Sequence, residues 1–120
     1  MRGTGAALLV AAVLGRGPGP DAPLQEPVRL DVLRDEAREA MRRSCGRCHD
    51  RAQRSALPRA LRLFDLGDAD WSAHLTDEQL DGVAGRFEPF GMPPPDRVIV
   101  QRYLDAERAR RAALASGAVH

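Results

Sequence analysis

The sequence predicts an all-α protein, a small bundle of three or more helices, on three observations. Apolar residues recur at helical spacing in separate stretches, the tetrapeptide Thr76-Asp77-Glu78-Gln79 has the form of an N-terminal capping box, and no run alternates β-branched with polar residues. A length of 120 residues, 43% of them hydrophobic and 29% charged, leaves room for one modest core.

The chain opens with Arg2, an apolar run from Ala6 to Leu14 and then a Gly/Pro-rich break, so residues 1 to 15 read as a secretory signal peptide. The run falls far short of the roughly 20 residues needed to span a bilayer, which makes an uncleaved membrane anchor the secondary reading. Residues 16 to 29 form a flexible leader, 30 to 115 the domain, and 116 to 120 a tail. No lipidation cysteine follows the apolar run.

Within the domain, Leu30, Leu33, Ala37, Met41 and Ser44 share one face of a first helix that runs into Cys45. The capping box, flanked by Leu75 and Leu80 as a hydrophobic staple, starts a second helix whose buried stripe is Leu80, Val83, Ala84 and Phe87. A third begins at Pro93-Pro94-Pro95, where proline is tolerated only in the first turn, and carries Ile99, Val100, Tyr103 and Leu104 on one side. Its far end reads as a charged surface with Glu107 and Arg111 at i,i+4. The stretch "ALRLFDLGDADW" is an extended loop or a short helical turn with Leu61, Leu63, Phe64 and Leu66 inward.

Every one of the 18 basic residues is an arginine, nearly balanced by 17 acids, and nothing asks for nucleic acid. Nor does a nucleophile with a base, or an acidic metal cluster, suggest an enzyme. The chemistry lies in "RRSCGRCHD", which holds the only two cysteines, Cys45 and Cys48, with His49 directly after them. C-x-x-C-H is read as c-type haem attachment, a structural zinc half-site, a dithiol redox pair or chance. Zinc would need about four ligands and would have to recruit His74 or His120. A redox pair belongs at a strand-to-helix junction that this pattern lacks. One covalently bound haem c explains each position: both sulfurs on one helical turn reach two vinyl-derived carbons of a porphyrin edge, and the adjacent imidazole meets the iron. Export fits too, because bacteria make these thioethers outside the cytoplasm. For the sixth iron position the candidate is Met92, 43 residues after His49 in "FEPFGMPPPDR", where glycine allows close approach and the prolines stiffen the loop. His74 is the rival, and Met41 is placed against the porphyrin edge.

These elements resemble the class I mono-haem c-type cytochromes over roughly residues 30 to 104: a helix leading into Cys45-Gly46-Arg47-Cys48-His49, the "LTDEQLDGVAGRF" helix, Gly91-Met92-Pro93-Pro94, and Tyr103 on a terminal helix. The resemblance implies thioethers at Cys45 and Cys48, His49 as proximal and Met92 as distal ligand, with Tyr103 where the first and last helices cross. It differs where relatives carry a glycine and an aromatic on the first helix, the positions of Ala37 and Met41 here. The carbonyl of Pro58 is the expected acceptor for His49 Nδ1, and Trp71 either donates its indole N–H to a haem propionate or covers the haem edge.

The expected function is a periplasmic or secreted one-electron carrier, monomeric, docking protein redox partners or membrane-associated redox complexes at the haem edge. Two alternatives remain: a haem sensor or ligand-binding protein with an open distal site, and the haem subunit of a larger periplasmic redox enzyme that uses the arginine-rich tail "RARRAALASGAVH" to dock.

Overall fold

The computed structural model describes residues 29 to 117, so the expected signal peptide, most of the leader, and His120 lie outside the described residues. Four helices make up the described part, with no strand among them: α1 (Leu30–His49), α2 (Pro58–Leu63), α3 (Asp77–Ala84) and α4 (Pro94–Ala115). None of these helices is long and apolar enough to cross a membrane.

Helix α1 buries a narrow face of Ala37, Ala40 and Met41 and packs chiefly on α4, whose Val100, Tyr103 and Leu104 are also buried. Leu66, Trp71, Leu75, Leu80, Phe87 and Met92 complete the same core. The helix stops at Asp50, whose backbone turns to an extended conformation (φ −127°) while its N–H still bonds the Gly46 carbonyl. The Asp50 carboxylate, 2% exposed, accepts from the Ala52 amide and from Arg42 Nε, which locks the chain reversal directly after the C-x-x-C-H motif.

The unassigned middle resolves into α2, six residues with Pro58 at its first position, followed by a looped segment. Two backbone bonds fold it back over the end of α1: Leu57 N–H to the Cys48 carbonyl and Leu66 N–H to the His49 carbonyl. Leu66 points inward as expected, whereas Leu63 is half exposed.

The capping box is present in both directions, Gln79 N–H to Thr76 Oγ1 and Thr76 N–H to Gln79 Oε1, and the stapling Leu75 and Leu80 are buried. Helix α3 ends at Ala84, short of the expected stripe. Gly85 follows, and Phe87 is buried from a tightened turn in which the Arg86 and Phe87 amides reach back three residues. Pro93 caps α4 with Pro94 at its first position, and the helix closes with Gly117 at φ +76°, a left-handed conformation suited to glycine.

Asp96, in the first turn of α4, receives two bonds from Arg43 of α1 at 2.9 and 3.1 Å, tying the two long helices together. Arg43 holds the Asp96 carboxyl below its ordinary 3.8. The Ala52 amide and then Arg42 do the same for Asp50, opposed by burial. A depressed carboxyl contributes stability that is complete above its unfolded pKa and is lost as pH falls through the lower folded value. The denaturant midpoint is therefore expected to be level above about pH 5 and to fall steadily below about pH 4. A midpoint unchanged down to pH 3 would contradict this account of the two pairs.

Candidate functional site

Cys45, Cys48 and His49 occupy the last turn of α1, and all three line one cleft of about 670 Å³, within the range of small-molecule and cofactor sites. The remaining walls are largely apolar. Met41 continues the α1 side, Leu57, Leu63 and Phe64 come from the segment around α2, and Leu75, Val83 and Phe90 close the far side.

Both cysteines are free thiols of intermediate exposure. Burial first, and the neighbouring Cys48 second, push the Cys45 thiol above its ordinary value. A thiol raised in this way is the opposite of the activated thiolate that dithiol redox chemistry requires. Neither do the two thiols and the imidazole converge as direct metal ligands: no group of three or more His, Cys, Asp or Glu among the described residues is arranged to hold a metal ion.

His49 is fixed in two ways. Its Nδ1 lies 3.2 Å from the Phe64 carbonyl, and its ring stacks on the Phe64 ring at 3.8 Å with only 4° between the planes. In the tautomer in which Nδ1–H donates, Nε2 keeps its lone pair for a metal. The acceptor is Phe64, not Pro58 as expected, because Pro58 begins α2 and lies within the helix. Phe64 caps the helix in an extended conformation (φ −161°) that frees its carbonyl.

The expectations for Trp71 are also corrected. Its indole N–H donates to the Arg34 carbonyl, it is 3% exposed and it does not line the cleft. Instead it stands edge-on to Phe64 at 5.7 Å and tilted against Tyr103 at 5.7 Å, bracing the ring that braces His49. The Tyr103 hydroxyl meets Ser72 Oγ.

Met92 is not brought to the cleft with the other three. It is 1% exposed within the core, its amide bonded to the Phe87 carbonyl and its carbonyl to Arg97 Nε. Phe90, two residues earlier and 63% exposed, lines the cleft in its place, and Gly91 between them adopts φ +69°. His74 is exposed outside the cleft, while Met41 lines it near the cysteines. Sequence reasoning missed Leu57, Phe90 and the role of Phe64. Their one available signal was that large apolar residues sit in segments with little helical register.

The arginines of the tail do not form a free docking element. Arg108 pairs with Asp81 and Asp77, Arg110 and Arg111 both bond Glu107, and Arg111 also holds the Leu75 and Ser72 carbonyls. Glu107, expected on a charged surface, is 4% exposed. No protein-family model, curated protein or solved structure matches this chain.

Proposed function

We propose that this protein is a mono-haem c-type cytochrome serving as a periplasmic or secreted one-electron carrier. The observation that carries the reading is the placement of Cys45, Cys48 and His49 together on an apolar cleft of about 670 Å³, with His49 Nδ1 engaged by a backbone carbonyl. The residues fit the group. Cys45 and Cys48, three apart on one helical turn, would each add Sγ across a vinyl group, their thiol protons passing to the second vinyl carbon. His49 would ligate through Nε2, its plane held by Phe64. When bound, haem supplies a one-electron iron couple in a surrounding that disfavours added charge.

Met92 remains the distal ligand this reading assigns. Because its thioether packs in the core, ligation requires the turn around Gly91 to repack. That burial favours a second reading, a haem protein whose sixth position is open to small ligands.

The test is the spectrum of the full chain co-expressed with a c-type haem maturation system. Covalent haem and a weak far-red ferric band that vanishes in Met92→Ala are expected of the carrier. A ferrous form that takes up carbon monoxide readily, with no such band, is expected of the open site. Absence of covalent haem would reject both.

A further inference from the structure

We infer that Trp71 is a positioning residue for the iron ligand His49, acting through the ring of Phe64, an inference that rests on the haem reading above. An imidazole turns about its Cβ–Cγ bond in a broad two-fold well, so its plane is set by what touches it. The two contacts that fix the His49 ring come from one residue. Phe64 supplies both the carbonyl 3.2 Å from Nδ1 and the ring stacked at 3.8 Å and 4°. Two residues further on, the Leu66 N–H holds the His49 carbonyl at 2.6 Å, so the short segment from 64 to 66 grips the ligand by ring and backbone together.

That segment cannot hold itself in place. Phe64 caps α2, whose six residues are too few for a helix to be stable alone, and its own backbone is extended at φ −161° and ψ 154°. Behind the Phe64 ring stands Trp71, edge-on at 5.7 Å and 60°. Trp71 is anchored on both long helices: its indole N–H donates to the Arg34 carbonyl of α1 at 3.4 Å, and its ring is tilted on Tyr103 of α4 at 5.7 Å. Tyr103 is 1% exposed, and its hydroxyl meets Ser72 Oγ. A train of rings thus runs from the crossing of α1 and α4 to the imidazole. Trp71 is itself buried and outside the cleft lining, so it acts on the iron only through Phe64.

Two properties of the ligand depend on this train. The imidazole plane decides which iron orbital His49 donates to, and the Nδ1–H bond to the carbonyl makes the ring a stronger donor. Without Trp71 the Phe64 ring tilts, the plane loosens and the bond lengthens. A weaker donor stabilises ferric iron less, so the reduction potential rises.

The test compares the haem-loaded full chain with Trp71→Leu, Trp71→Phe, Phe64→Leu, the double variant Trp71→Leu/Phe64→Leu, and Leu104→Ala as a core control outside the ring train. Proton resonances of the four haem ring methyls are recorded in the ferric cyanide adduct. Cyanide is cylindrically symmetric and occupies the sixth position whether Met92 or nothing held it before, so the spread of these resonances reports the His49 plane alone. The potential is measured without cyanide. Trp71→Leu and Phe64→Leu are each expected to narrow the spread and raise the potential. The double variant should go no further than Phe64→Leu, because Trp71 acts through that ring. Trp71→Phe, which keeps an edge-on ring, should return most of the wild-type pattern, and Leu104→Ala should lower Tm while leaving both readouts in place. Trp71→Met, a flexible filler of the same space, replaces Trp71→Leu if that chain does not fold.

A wild-type spread and potential in a Trp71→Leu protein of lowered Tm would make Trp71 a core residue and nothing more. Equal shifts from Leu104→Ala, additive shifts in the double variant, or no recovery in Trp71→Phe would likewise overturn the inference while leaving the haem reading intact. Lack of covalent haem is seen first, in the absorbance, and rejects the parent reading and this inference with it.

Discussion

Replacing both Cys45 and Cys48 by serine is expected to abolish covalent haem: under denaturing mass spectrometry the wild type is heavier than its chain by one haem, and the double variant is not. Each single serine variant should keep one thioether and so remain covalently loaded at reduced yield. Stability should fall when attachment is lost. Leu57, Leu63 and Phe90 stand 42%, 51% and 63% exposed on the cleft, and covering the open half of each contributes about 1 kcal/mol apiece at ordinary transfer energies. A loss of about 3 kcal/mol from a domain of this size lowers Tm by about 12 to 24 °C. A wild-type mass lighter than the chain by two hydrogens would instead reveal a disulfide and remove the haem reading. A wild type and double variant of equal stability would show that the cleft covers nothing.

The helices that were legible had local causes. The α1 stripe, the reciprocal Thr76/Gln79 cap and the proline run before α4 are each decided within a few residues, and each is present. Helix α2 was obscure because six residues hold too little periodicity to separate a turn of helix from a loop. What the sequence hid was pairing across distance. Trp71 finds its acceptor 37 positions back, at Arg34, which no spacing rule anticipates. His49 finds its acceptor at Phe64 because α2 ends there, so an unplaced helix meant a misplaced carbonyl.

Charge misled most. The arginine-rich "RARRAALASGAVH" stretch carried the docking role in one alternative, yet its cations are absorbed by Glu107, Asp77 and Asp81, while the scattered Arg47, Arg54, Arg59 and Arg62 reach no carboxylate among the described residues. A cluster in sequence counts charges but not their partners, and burial of a single carboxylate such as Glu107 reverses its meaning.

The second large effect is expected at that carboxylate's partner. The Arg111 side chain, 17% exposed, donates Nε to Glu107 at 2.7 Å and its two terminal nitrogens to the Leu75 carbonyl at 2.7 Å, the Ser72 carbonyl at 3.2 Å and Asp77 Oδ1 at 3.1 Å. One planar guanidinium thereby fastens the end of α4 to the segment that carries the Leu75 staple and begins α3, the far wall of the cleft. Arg111→Ala leaves Glu107 with Arg110 alone and strips two backbone carbonyls of a donor, at a cost of about 3 kcal/mol, the lower end for a broken buried pair because Arg110 persists. Tm should fall by about 12 to 24 °C.

Arg111→Lys should recover only part of this, since an ammonium cannot serve several acceptors in the guanidinium's plane. The pH dependence separates this pair from simple loss of packing. Burial acts to raise the Glu107 carboxyl, but bonds from Arg110 and Arg111 outweigh it and hold it below the ordinary 4.5. The wild-type advantage over Arg111→Ala is then largest above about pH 5 and shrinks as acid protonates Glu107. A Tm difference that persists unchanged at pH 3 would assign the loss to the Arg111 stem packing rather than to its charge. A variant melting within about 2 °C of wild type at pH 7, under 1 kcal/mol, would show that the wall of the cleft is held without Arg111.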